Sequence, residues 1–241
     1  MNYALIFAGG AGRRMNNQTK PKQFLLLHGK PILLYTLEHF DKHPEVNAIT
    51  VVCLENWIEE LKNFLLRCDI KKVRSIVPGG ATGHESIFKG LAAMEIYSRD
   101  DDIVLIHDGV RPLIDARLIS LNIAKAQQWG AVITVTPALE TVVKCCDSET
   151  IESVPPRHHM YAAKAPQTFR FRLIYDLYKK AARDGHLTVD SAHLCSLYNL
   201  AMHVVLSTPN NIKITAPEDF YIFRALYELI ENNKISGRQE R

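Results

Sequence analysis

Short apolar runs and longer stretches of helical spacing alternate along this chain. Tyr3–Phe7 (YALIF) is a compact apolar run closed by Ala8-Gly9-Gly10, the pattern of a strand buried on both faces. The stretch ILLYTLEHF after Pro31 has helical spacing, and proline is well tolerated in a first helical turn. The alternation continues with a strand at Ala48–Leu54, a helix at Trp57–Leu66, a strand at Val73–Val77 and a helix at Ser86–Met94. A strand at Ile103–His107, a helix at Leu118–Gln128 and a strand at Ala131–Val135 follow. Strands separated by helices need crossover connections, which are right-handed and leave the strands parallel. The pattern predicts an α/β fold: an open, Rossmann-like, mostly parallel sheet with helices on both faces. Ligands of such sheets sit beyond the carboxyl ends of the strands. Loops 8–30, 78–86, 107–113 and 136–141 are therefore where chemistry is expected.

The rhythm breaks between about 141 and 168. VVKCC, SVPP and MYAAKAPQTF read as a protruding β-arm with prolines, suited to a lid or a dimer contact. Helices resume at Leu173–Ala182 and Ser191–Leu200, followed by a strand at His203–Leu206, the segment Ile212–Thr215 and a helix from Pro217 to about Ile230. The polar tail is expected to fray. No internal repeat or low-complexity segment interrupts the pattern, so residues 1–241 read as one domain.

Composition narrows the classes. With 241 residues, 47% hydrophobic and 23% charged, the chain can bury roughly 70–75% of its unfolded surface without staples. A net charge of +3 is too mild to argue for a nucleic-acid partner. No apolar run approaches the ~20 residues of a membrane span, and MNYALIFAGG lacks the basic start of a signal peptide. The five cysteines (Cys53, Cys68, Cys145, Cys146, Cys195) include no CxxC pair, so a cytoplasmic setting is expected rather than a disulfide framework or thiolate zinc site. Cys53 sits in an apolar strand and reads as core. Adjacent His158 and His159 would point to opposite faces of a strand, and His186, His193 and Cys195 lack zinc spacing. No GxSxG elbow supports a serine hydrolase.

The loop 8–30 (AGGAGRRMNNQTKPKQFLLLHGK) carries Arg13, Arg14, Lys20, Lys22 and Lys30 and no acid. Twenty-three residues are long for a connection in an α/β unit, and such loops are usually functional or disordered. Gly9, Gly10 and Gly12 let backbone N–H groups approach a ligand, and N–H donors with Arg and Lys match a polyphosphate. It is not a Walker A loop, because Pro31 follows Gly29-Lys30 and Phe24 stands at the first glycine position. Nor is it the dinucleotide fingerprint, because Met15 replaces the third glycine.

AGGxGxRM (Ala8–Met15) followed by PKQF (Pro21–Phe24) resembles the nucleotidyltransferases that join a sugar or alcohol phosphate to a nucleoside triphosphate. More narrowly it resembles cytidylyltransferases acting on ribitol phosphate or methylerythritol phosphate. HDGVRP (His107–Pro112), PRHHMY (Pro156–Tyr161), PQTF (Pro166–Phe169), TVD (Thr188–Asp190) and NIKIT (Asn211–Thr215) resemble later elements of that family, in order. The resemblance implies the nucleotide-diphospho-sugar transferase fold, a homodimer, CTP and a polyol phosphate as substrates, and magnesium. It implies that Arg14, Lys22 and Lys213 are the catalytic cations. Ala8, Gly9, Gly10, Gly12, Gly80 and Ser86 would bind CTP. Asp108 would hold the metal, a role suited to a hard carboxylate at a strand end. Arg111, Thr141, Arg157 and Thr188 would hold the second substrate, with Arg157 donated across the dimer by the arm.

Two segments depart from the family pattern. The loop after the third strand is GGATGHES (Gly79–Ser86), with Gly83 where the family usually has arginine; His84 beside it is a candidate substitute cation. Ala165 stands where threonine is common. Ala8-Gly9-Gly10 and Tyr161 lean toward the ribitol branch, and so toward teichoic-acid or capsule precursors rather than isoprenoid synthesis. The rivals are a methylerythritol-phosphate enzyme, a hexose-1-phosphate nucleotidyltransferase, and a non-catalytic nucleotide-binding member of the fold.

Overall fold

The fold is seen in a computed structural model, in which residues 1–10, 20–147 and 149–235 are described. The strands are β1 (Asn2–Ala8), β2 (Leu26–Leu27), β3 (Lys30–Pro31), β4 (Ala48–Cys53), β5 (Val73–Pro78), β6 (Ile103–Asp108), β7 (Ala131–Pro137), β8 (Lys144–Cys145), β9 (Ile151–Ser153), β10 (Tyr161–Arg170) and β11 (His203–Leu206). The helices are α1 (Ile32–Lys42), α2 (Ile58–Arg67), α3 (Gly83–Met94), α4 (Ala116–Trp129), α5 (Phe171–Asp184), α6 (Ser191–Leu197) and α7 (Pro217–Ile235). Seven strands form one sheet in the order β11-β7-β10-β6-β1-β4-β5. β4 and β6 are buried at every position, which is why their sequences are continuous apolar runs rather than alternating ones. One face packs α1, α2 and α4 through Leu33, Leu37, Leu61 and Ile119; the other packs α3 and α5 through Ile87, Leu91, Ile174 and Tyr178.

From β1 the chain turns to β4 and β5 on one side and to β6 on the other. The strand order thus reverses around β1 and β6, and ligand crevices form at such reversals. A third apolar cluster, including Tyr35, Val110, Ile214 and Phe223, fastens α7 and the segment before it beside this point. Ile212–Thr215 is irregular rather than a strand, and α7 runs to Ile235, past the expected end.

The arm is shorter than its sequence suggests. Most of 139–163 is exposed, and β8 pairs with β9 in a small separate ribbon. From Ala165 to Phe169, however, the chain is core. There β10 runs antiparallel between β6 and β7. Pro166 disguises this strand. It falls where the β10–β7 register shifts, between Ala163 and Gln167, and irregularities of that kind tolerate a proline inside a sheet.

Candidate active site

Two glycine loops meet above the carboxyl end of β4. Gly9 follows β1 and Gly79 follows β5, although β4 lies between those strands. A Cβ on Gly79 would stand 2.9 Å from the Gly9 Cα, and one on Gly9 would stand 3.1 Å from the Gly79 Cα. Larger residues would force the loops apart. The Gly79 N–H donates to the Cys53 carbonyl at 2.8 Å. The Gln23 side-chain amide donates to the Ala8 carbonyl at 2.6 Å and the Gly10 carbonyl at 3.2 Å. A cavity of about 350 Å³ opens here, lined by Gly9, Gly79, Gly80 and the Leu54–Trp57 turn. Trp57 stacks on buried Phe24 with ring centroids 4.5 Å apart, fixing that wall.

The 79–86 loop is held from within. Thr82 caps α3, accepting from the Glu85 N–H at 3.1 Å, while the Glu85 carboxylate accepts from the Ala81 N–H at 2.7 Å. The Ser86 hydroxyl accepts from the Gly80 N–H at 3.1 Å and donates to the Thr82 carbonyl at 2.9 Å. His84 does not supply the cation proposed for it. Its ring is buried 4.7 Å from the Tyr178 ring, and Nδ1 lies 3.0 Å from the Thr188 hydroxyl oxygen. Burial lowers its pKa, so the imidazole is neutral near pH 7.

A charged group stands at the end of β6. Asp108 is buried; its Oδ1 lies 2.6 Å from Lys213 Nζ, and its Oδ2 accepts from Arg111 Nε and Nη2, each at 3.2 Å. Burial alone would raise the Asp108 pKa, but the Lys213 and Arg111 charges outweigh it and hold the carboxyl at about 2. Arg111 Nη1 donates to the Asn211 carbonyl at 2.7 Å, and Lys22 Nζ donates to the Ile214 carbonyl at 2.9 Å. Lys22, Lys213 and Arg111 are thus tied to the irregular 211–215 segment. Beside them His107 is fully buried, its Nε2 3.2 Å from the Arg111 carbonyl. Burial and the Arg111 charge push its pKa down to about 3, so it is neutral.

The fold gathers Ala8, Gly9, Gly10, Gly80, Ser86, Lys22, Asp108, Arg111 and Lys213 at the carboxyl end of the sheet. Arg14 and Gly12 lie outside the described residues. Thr141 and Arg157 are exposed at the arm, where Arg157 Nη1 donates to the Leu139 carbonyl at 3.3 Å. The Thr188 hydroxyl donates to the Asp190 carbonyl at 3.1 Å. No described contact joins these three to Asp108. The sequence reading assigned no role to Gln23, Trp57, Glu85 or Asn211. Gln23, Glu85 and Asn211 carried a signal, as members of PKQF, GGATGHES and NIKIT; Trp57 carried none. Among the described residues no cluster of three or more metal-ligating side chains occurs, and no helix is long and apolar enough to cross a membrane.

A mostly parallel sheet with glycine loops at one strand end and a cation-ringed carboxylate at the next defines a nucleotidyltransferase-type α/β protein. The chain belongs to the 2-C-methyl-D-erythritol 4-phosphate cytidylyltransferase family, whose sequence profile matches residues 3–228. A ribitol-5-phosphate cytidylyltransferase of Streptococcus agalactiae serotype Ia is 45% identical to it over 98% of this chain and 100% of that one. One of Vibrio parahaemolyticus is 44% identical with the same coverage. A 2-C-methyl-D-erythritol 4-phosphate cytidylyltransferase of Syntrophotalea carbinolica is 38% identical over 94% of this chain and 96% of that one. Among solved structures, 4-diphosphocytidyl-2C-methyl-D-erythritol synthase from Anaerococcus prevotii superposes with a TM-score of 0.82 at 29% identity, covering 94% of this chain and 96% of that one.

Proposed function

We propose that this protein is a ribitol-5-phosphate cytidylyltransferase, transferring CMP from CTP to D-ribitol 5-phosphate to give CDP-ribitol and pyrophosphate. The observation that carries the reading is Asp108 ringed by Lys213 and Arg111 next to the paired glycine loops; full-length relatives of that name supply the acceptor. A phosphate oxygen of the acceptor attacks the α-phosphorus, a P–O bond forms, and the bond to the bridging oxygen breaks as pyrophosphate leaves. Both reactants are anions, so catalysis is charge neutralisation and in-line positioning. Lys22 and Lys213, with Arg14, serve as cations on the triphosphate, and each well-placed donor contributes roughly 10²–10³ in rate. The cavity between Gly9, Trp57 and Gly80 is assigned to the nucleoside, with Ala8, Gly10 and Ser86 shaping its edge. The side with Arg111 is assigned to the acceptor, and Thr188 is assigned to it as a further contact.

A magnesium ion fits this site. Asp108 presents a hard, ionised oxygen, and magnesium is commonly held by one carboxylate with substrate phosphates and water. When bound, the ion supplies positive charge to the triphosphate oxygens. An ion held on Asp108 Oδ1 would take the place of Lys213 there, and the Lys213 ammonium would then serve the nucleotide. Arg157 and Thr141 lie on the arm, and a homodimer that lends the arm to its partner would bring them to an acceptor. A cytoplasmic role in teichoic-acid or capsule precursor synthesis completes the reading.

The methylerythritol-phosphate reading has its own support in the family profile's description and the 38% relative. Pyrophosphate release with CTP, Mg²⁺ and either acceptor separates the two. Release with ribitol 5-phosphate alone is the expected result. Release with methylerythritol phosphate alone would reverse the assignment, and silence with both would favour a non-catalytic protein.

A further inference from the structure

We propose that Lys164 binds the phosphate of the polyol-phosphate acceptor, forming with Arg111 a pair of cations on the far side of Asp108 from the nucleotide cavity. The inference rests on the cytidylyltransferase reading and adds a specificity-determining residue to it.

Placement comes first. The glycine cavity lies over β1, β4 and β5, whereas Lys164 is on β10, beyond β6. Asp108 at the end of β6 stands between them. An acceptor approaching from the β10 side therefore reaches Asp108 without entering the cavity assigned to the nucleoside.

Charge comes second. Arg111 and Lys213 already share one carboxylate, Asp108. Lys164 is half-buried and makes no ion pair among the described residues. Its Nζ reaches only backbone oxygens, at 3.3 Å to Asn211 and 3.5 Å to Pro209. The Asn211 carbonyl also accepts from Arg111 Nη1, so two cations converge on one neutral oxygen. Removing an ammonium from water without an opposite charge is costly. Burial and the Arg111 charge accordingly lower the Lys164 pKa. A phosphate monoester, carrying about 1.5–2 negative charges near pH 7, would relieve that cost for both cations.

The bland alternative is that Lys164 only fastens the 209–211 turn and, through it, Lys213. Steady-state kinetics of the full chain distinguish the two. For Lys164→Gln, the KM for ribitol 5-phosphate is expected to rise about 10- to 100-fold while the KM for CTP moves less than about 2-fold. Lys164→Arg is expected to recover part of the loss. An unchanged acceptor KM would overturn the proposal, as would both KM values and the unfolding temperature shifting together. Failure of the underlying reading looks different: the unaltered protein would release no pyrophosphate with any polyol phosphate, and the role of Lys164 would fall with it.

Discussion

Asp108 and His107 are neighbours whose pKa values are both driven down, with opposite results for charge. Asp108 is held at about 2, against ~3.9 for a free aspartate. The folded state gains from its ionisation above pH ~4, and that gain disappears as pH falls through about 2. His107 is held at about 3, so between about 3 and ~6.5 the unfolded chain takes up a proton that the folded one refuses. Both groups make stability rise with pH, in different windows. Urea unfolding of the wild type and Asp108→Asn across pH 2–7 tests the first. The free-energy difference between them should be widest above pH 4 and shrink toward pH 2. A constant difference would show that the carboxyl is not held down by Lys213 and Arg111. The candidate role of Asp108 was legible through the HDGVRP resemblance, which set a hard carboxylate at the end of an apolar strand. Its pairing with Lys213 was not, since Lys213 lies over a hundred positions away and only the fold brings it close.

Local elements carry the next level of control. The α3 start is a good case, because the departure from the family pattern at Gly83 has a visible replacement. Thr82, Glu85 and Ser86 together engage the Gly80, Ala81 and Glu85 amides, so the loop is shaped without an arginine. Thr82→Ala should cost about 1 kcal/mol of stability, the usual loss for a cap, and raise the KM for CTP more than that of the acceptor. Thermal unfolding and kinetics with both substrates varied check this; an acceptor-only effect would place the nucleotide elsewhere. The parallel strands were readable because buried strands are continuous apolar runs. β10 was not, because prolines and an exposed first half concealed a core strand whose partners, β6 and β7, are set by long-range pairing. The contact between Gly9 and Gly79 was equally hidden, since each doublet by itself reads only as a turn.

At the scale of the whole molecule, the proposed site draws on residues of the arm. Arg157 and Thr141 sit on an exposed arm carrying exposed Leu139, Val142, Ile151, Val154 and Tyr161, and no described contact ties Arg157 to Asp108. A two-fold dimer would cover apolar surface and exchange arms, each completing the other's centre. Complementation tests this directly. Arg157→Ala would disable the site that its arm reaches, and Lys213→Ala would disable the site in its own chain. Each purified variant should be poorly active, with losses on the order of 10²-fold or more. When the two are unfolded together and refolded at equal amounts, half the dimers should be mixed. In a mixed dimer the arm from the Lys213→Ala chain reaches an intact Lys213 in its partner, so one of two sites is whole. Activity should return to roughly a quarter of the wild-type value. If Arg157 instead serves its own chain, both sites in every mixed dimer carry one lesion, and activity stays at the level of the separate variants.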